Sequence, residues 1–156
     1  MLVPEISLTP QMVDRFIERF GQEKIAVLHS KLSVGERFDA WNRIVKGEAS
    51  IIIGARSAIF APAKNIGVII IDEEHDSSYM SEMTPKYNAK EVAKFIENSC
   101  PLILGSATPD MKTYKKAQDG EIELLELTKR ANNSSLPKVE IVDLREELAN
   151  RQSFND

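Results

Sequence analysis

The chain has almost no cysteine and no long apolar run, and each shortage removes a class of protein. Cys100 is the single cysteine in 156 residues. Neither an internal disulfide nor a multi-cysteine zinc site fits within the chain, and an intracellular protein is the default expectation. The apolar stretches fall far short of the roughly 20 residues needed to span a bilayer, so no membrane association is expected. No secretory leader is expected either, because Met1-Leu2-Val3 gives way at once to Pro4-Glu5 and a polar, periodic segment. A net charge of −4 argues against a strongly basic nucleic-acid-binding surface over the whole molecule, though not against a local groove. The Gly-x-x-x-x-Gly-Lys-Ser/Thr phosphate loop is absent from the sequence.

What is present is ordinary for one folded domain: 42% hydrophobic and 28% charged residues, enough to bury a core and outside the disordered class. Short apolar runs alternate with amphipathic segments. Leu2-Val3 reads as the stub of a strand. Met12, Val13, Phe16, Ile17 and Phe20 lie on one stripe of a helix from Pro10 to Phe20, capped by Thr9 and ended by Gly21. Residues 24–29 read as a strand. Ser33 and Glu36 form a capping box for a helix running to Lys46, with Phe38, Trp41, Ile44 and Val45 expected to face a core.

Residues 50–53 and 68–71 are β-branched runs, as in strands covered on both faces. Asn88 and Glu91 offer another capping pair for a helix carrying Ala89, Val92, Ala93 and Ile96. Residues 102–104 form a short strand, and Thr108 is expected to cap a helix from Pro109 to Gln118. Residues 121–127 and 139–142 are candidate edge strands, and 129–138 a loop. This order of elements implies an α/β fold, a mostly parallel sheet with helices on both faces.

The chemistry centres on Asp72-Glu73-Glu74-His75, directly after the run Gly67-Val68-Ile69-Ile70-Ile71. A buried strand ending in acidic residues places carboxylates at the C-terminal edge of a parallel sheet, where open α/β folds hold their ligands. Asp72 suits Mg²⁺, directly or through water, while the ion bridges the phosphates of ATP. Glu73 can orient or deprotonate an attacking water. Glu74 and His75 can sense the nucleotide. A second segment, Gly105-Ser106-Ala107-Thr108-Pro109, follows another short strand, and its Ser106 and Thr108 hydroxyls can bond carboxylates or phosphates.

Candidate nucleic-acid contacts come from loops: Thr9 at a helix N-terminus whose amides can hold a phosphate, Arg56 and Ser57 after the second apolar strand, and the polar stretch carrying Tyr79, Lys86 and Tyr87. Arg56 could equally serve an internal ion pair. The Tyr79 to Tyr87 loop could equally serve solubility. Cys100 is expected to be buried and structural. Two widely separated histidines, His29 and His75, are poor evidence for a zinc centre.

These segments, together with Val3-Pro4-Glu5-Ile6-Ser7-Leu8-Thr9-Pro10-Gln11, Ala26-Val27-Leu28-His29-Ser30, Gly35-Glu36-Arg37, Gly54 to Pro62, Asp72-Glu73-Glu74-His75-Asp76-Ser77-Ser78-Tyr79, Leu136-Pro137 and Val142-Asp143-Leu144-Arg145, cover nearly the whole chain. In that order the chain resembles the first motor lobe of the primosomal protein N′ family, replication-restart DNA helicases of helicase superfamily 2. The Asp-Glu-x-His quartet is shared by many helicases. Its combination with Gly54-Ala55-Arg56-Ser57-Ala58-Ile59-Phe60-Ala61-Pro62 is far more specific.

The resemblance implies a RecA-like P-loop NTPase lobe lacking its first strand and phosphate-binding loop. Residues 1–143 would carry helicase motifs Ia to III, and 144–156 would begin a linker toward a second lobe. It implies a whole protein that is an ATP- and Mg²⁺-dependent 3′-to-5′ DNA helicase of the bacterial cytoplasm, acting on forked or single-stranded DNA with primosome and single-strand-binding proteins as partners. Asp72 and Glu73 would be the Mg²⁺ and water-activating positions, with His75 coupling. Ser106 and Thr108 would link hydrolysis to strand separation, Arg56 and Ser57 would face the tracked strand, and the Tyr79 to Tyr87 loop would report DNA engagement. Zinc would belong to an insertion outside this sequence, and none is expected here. The chain departs from the family at Met80-Ser81-Glu82-Met83, usually more basic and glutamine-rich. Without the phosphate-loop lysine and the second lobe's arginine, negligible turnover by the chain alone is expected. The competing reading is a non-catalytic structural or DNA-interaction module.

Overall fold

The computed structural model describes residues 1–97, 100–129 and 139. The chain divides into two compact units, Met1–Ile122 and Glu123–Asp156. In the second unit, the described residues 123–129 and 139 carry no helix or strand. The first unit holds four strands, β1 (Ile25–Leu28), β2 (Ile51–Gly54), β3 (Ile69–Ile71) and β4 (Leu102–Leu104), and four helices, α1 (Pro10–Phe20), α2 (Val34–Lys46), α3 (Ala89–Glu97) and α4 (Met111–Gln118).

Strand β1 pairs with β2 in parallel, Ile25 opposite Ile51 and Leu28 opposite Gly54. Strand β3 pairs with β4 in parallel, Ile69 opposite Leu102 and Ile71 opposite Leu104. One residue joins these pairs: Leu2 forms parallel bridges to Gly54 on one side and Ile71 on the other. Its amide donates to the Ile70 carbonyl at 2.7 Å and its own carbonyl accepts the Asp72 amide at 2.9 Å, while Val3 donates to the Gly54 carbonyl at 3.0 Å. The expected strand stub is therefore the seam of an all-parallel sheet.

Period-two alternation sorts the core into two layers. Val3, Ile25 and Ile53 point to the face covered by Met12, Phe16 and Ile17 of α1. Leu2, Ala26, Leu28, Ile69 and Ile71 point to the opposite face, against Ile44 of α2 and Ala89 and Ala93 of α3. Helices on both faces of a parallel sheet are the predicted α/β arrangement. Covering of the strand run at 68–71 is incomplete, for Val68 is 45% exposed.

Local signals place the helix starts. Thr9 Oγ1 accepts the Met12 amide and Pro10 occupies the first turn of α1. Ser33 and Glu36 exchange both bonds of the capping box on α2, which ends at Gly47 in the left-handed region. At α3 only half of the expected pair forms: Asn88 Oδ1 accepts the Lys90 amide, while Glu91 bonds Lys94 instead.

Three expectations need correction. Phe38 is 63% exposed and Trp41 41%, so Ile44 alone among the four expected residues of α2 is buried in the core. Helix α4 starts at Met111 with Asp110 as its cap, accepting the Lys112 amide at 2.8 Å, and Thr108 caps nothing. Residues 121–127 form no strand. Of the candidate strand at 139–142 only Val139 is described, and the linker at 144–156 lies outside the described residues.

Candidate active site

The carboxyl ends of β3 and β4 lie side by side. The Gly105 amide donates to the Ile71 carbonyl at 2.8 Å, and the Glu74 amide donates to the Gly105 carbonyl at 2.9 Å. The turn after β3 is thereby stitched to the segment after β4. A Cβ on Gly105 would stand 3.5 Å from Asp72 Oδ1, so the two segments meet at van der Waals range.

Asp72 is half-buried, and its Oδ1 accepts the Glu73 amide at 3.1 Å. Glu73 has φ of 46°, in the left-handed region that side chains other than glycine rarely adopt. The Asp76 amide closes the turn on the Glu73 carbonyl at 2.8 Å. This conformation leaves the Glu73 side chain 44% exposed at the sheet edge, with Oε2 at 3.5 Å from His75 Nδ1. His75 Nδ1 is also hydrogen-bonded to Ser106 Oγ at 2.7 Å, and the Thr108 amide donates to that same oxygen at 3.0 Å. Asp72, Glu73, His75, Ser106 and Thr108 thus form one constellation at the joined strand ends.

Glu74 behaves differently from its neighbours. It is 1% exposed. Its carboxylate accepts from Lys90 Nζ at 2.9 Å, the Asp110 amide at 2.6 Å and Thr113 Oγ1 at 3.0 Å. Sequence reasoning gave it a sensing role, and nothing in four successive polar residues marks the third as buried.

A second group lies behind the turn. Tyr79, expected on a DNA-facing loop, is 1% exposed, and its hydroxyl donates to the Asp72 carbonyl at 2.5 Å. Burial, and then the Asp72, Asp76 and Glu73 carboxylates, push its ionisation well above the usual tyrosine range. Hydrogen bonds from the Ser78 hydroxyl and amide hold Asp76 below the usual carboxylate range. Arg56 lies on a short 3-10 turn, Arg56–Phe60. Its Nη1 donates to the carbonyls of Ser78 and Met80, on either side of Tyr79, and its guanidinium sits 5.6 Å from the centre of the Tyr87 ring. Tyr87 packs edge-on against Phe60 at 5.0 Å. Of the two readings open for Arg56, the internal one describes these contacts, with backbone carbonyls in place of an ion pair.

Gly54 permits this docking. A Cβ there would fall 2.3 Å from the Leu28 carbonyl oxygen and 2.6 Å from Ala58 Cβ, so the 3-10 turn sits directly on the strand end. Ser57 and Lys86 are exposed, and Thr9 is occupied as a helix cap. Among the described residues no hydrogen bond ties these three to the carboxylates. Cys100 is buried, as expected.

Among the described residues no three His, Cys, Asp or Glu side chains converge closely enough to hold a metal ion. The adjacent Asp72 and Glu73 carboxylates at the strand end suit Mg²⁺, which keeps several waters and takes one or two carboxylates together with substrate phosphates.

A parallel α/β sheet carrying Asp-Glu-x-His on one strand end and Ser-x-Thr on the next has the layout of a helicase domain. The chain belongs to the DEAD/DEAH box helicase family, whose family model matches residues 1–117. Similar proteins include the Replication restart protein PriA of Bacillus subtilis (strain 168), 57% identical over 152 residues, which cover 96% of this chain and 19% of that protein. The Replication restart protein PriA of Synechocystis is 49% identical over 164 residues, with 99% and 20% covered. That of Treponema pallidum is 45% identical over 148 residues, with 94% and 22% covered. The chain spans about a fifth of the length of these relatives.

Proposed function

We propose that the chain is the part of a replication-restart DNA helicase that supplies its ATP-hydrolysing carboxylates, in a protein that tracks 3′ to 5′ along forked or single-stranded DNA and works with primosome and single-strand-binding proteins. The observation that carries this reading is the constellation of Asp72, Glu73, His75 and Ser106, bonded across the ends of β3 and β4. Asp72 offers a hard oxygen ligand for a hydrated Mg²⁺, and Glu73 stands one residue on, free to orient or deprotonate water. When bound, Mg²⁺ would neutralise charge on the phosphates of ATP. His75 Nδ1 bonds Ser106 Oγ at 2.7 Å and lies 3.5 Å from Glu73 Oε2, so a movement of the segment after β4 carries the imidazole with it beside the water-activating carboxylate. Arg56, Tyr79 and Tyr87 form the route toward the DNA side: Arg56 grips the backbone flanking Tyr79, whose hydroxyl bonds the Asp72 carbonyl.

The test is ATP hydrolysis with Mg²⁺, with and without forked DNA, comparing wild type with Glu73→Gln in a full-length helicase containing this segment and in the chain alone. The full-length variant is expected to lose roughly 100-fold or more of its DNA-stimulated turnover. The chain alone is expected to match its own variant at background. Undiminished turnover by the full-length variant would overturn the reading.

A further inference from the structure

We propose that Glu74 is a positioning residue, a buried latch that holds Glu73 in its left-handed conformation and ties the turn after β3 to both α3 and α4. The proposal rests on the reading of Glu73 as the water-activating group.

A carboxylate beneath a surface turn is costly to bury unless its oxygens are fully partnered. Glu74 has partners from two separate helices. Lys90, in the first turn of α3, donates to Oε2 at 2.9 Å. From α4 come the amide of its cap, Asp110, to Oε1 at 2.6 Å and the Thr113 hydroxyl to Oε2 at 3.0 Å. The backbone of Glu74 adds the bond to the Gly105 carbonyl at 2.9 Å.

The consequence falls on Glu73. Asp72 on one side is fixed by the hydrogen bond its amide donates to the Leu2 carbonyl and by the Tyr79 hydroxyl on its own carbonyl. Glu74 on the other side is fixed by its side chain. Glu73 lies between two anchors and carries φ of 46°, a conformation that persists only where its surroundings over-determine it. Because Asp110 and Thr113 follow directly from the segment at 105–109, a shift of that segment pulls on Glu74, and Glu74 turns Glu73. This joint is buried, whereas the His75 and Ser106 joint beside it lies nearer the surface.

The experiment uses a full-length helicase containing this segment, with Glu73→Gln, Glu74→Gln, Glu74→Ala and Thr113→Val, reading kcat and KM for ATP at saturating DNA beside thermal melting. Misplacing a reacting group by about 1 Å costs up to about 100-fold. Glu74→Ala is therefore expected to lower kcat by roughly 10- to 100-fold with KM for ATP within about twofold, and Thr113→Val by a few-fold. Glu74→Gln, which keeps the shape and one carbonyl acceptor, is expected to recover part of the alanine loss. If Glu74→Ala does not fold, Glu74→Gln and Thr113→Val decide. Lower melting temperatures with wild-type kcat in those two would reduce Glu74 to packing and overturn the proposal. Full activity in Glu73→Gln would instead overturn the reading beneath it.

Discussion

Tyr79 lies under the turn that it follows, and its hydroxyl is the partner of the Asp72 carbonyl. Removing that hydroxyl leaves a half-buried carbonyl without its donor. Tyr79→Phe is expected to cost about 1 kcal/mol in chemical denaturation, the usual net worth of such a bond. Because the ionisation of Tyr79 is raised in the folded state, its contribution is complete below the unfolded tyrosine value of about 10 and is lost as pH rises beyond it. In alkaline titration, the tyrosinate absorbance of wild type minus Tyr79→Phe should therefore appear only as circular dichroism reports unfolding. A smooth rise near pH 10 in folded protein would show the side chain to be accessible. None of this was legible in the sequence. Tyrosine in a polar loop reads as surface, and its burial follows from the chain doubling back beneath β3.

Among the elements, what was legible was local. Thr9 with Pro10, and Ser33 with Glu36, act within one turn of chain, so their capping roles could be read before any tertiary structure was known. Thr9→Ala should lower stability by about 1 kcal/mol in urea denaturation. An unchanged midpoint would mean that the amides of that turn find water as readily. The rotation of α2 about its axis is a tertiary matter. Its stripe of Phe38, Trp41, Ile44 and Val45 was expected to turn wholly inward, yet the helix meets the sheet through Ile44, with Ala40 and Leu32 packed beside the same core. The start of α4 was misread for a related reason. Asp110 and Thr108 are both competent caps, and the bond from the Asp110 amide to Glu74 lies on an element 36 residues away.

At the scale of the molecule, the order of short strands and amphipathic helices was enough to give a parallel sheet covered on both faces, and the acidic strand end was enough to locate the candidate site. The joining of motif to motif was not, because it runs through Glu74, Arg56 and Tyr79 and connects residues far apart in sequence. Among the described residues no helix is long and apolar enough to cross a membrane.

The sheet itself has a seam. Leu2 supplies the bridges between the two strand pairs, so its partners, Gly54 and Ile71, are brought together by a residue far earlier in the sequence than either. Closing so long a loop carries an entropic cost before the contact returns anything, which places this pairing late in assembly. The backbone proton of Asp72, held by the Leu2 carbonyl, then serves as a gauge of whether the sheet is whole. In hydrogen exchange it should be as slow as the most protected amides of β2. Faster exchange there would mean that the sheet parts along Leu2 while each half stays folded, and the candidate catalytic edge would part with it.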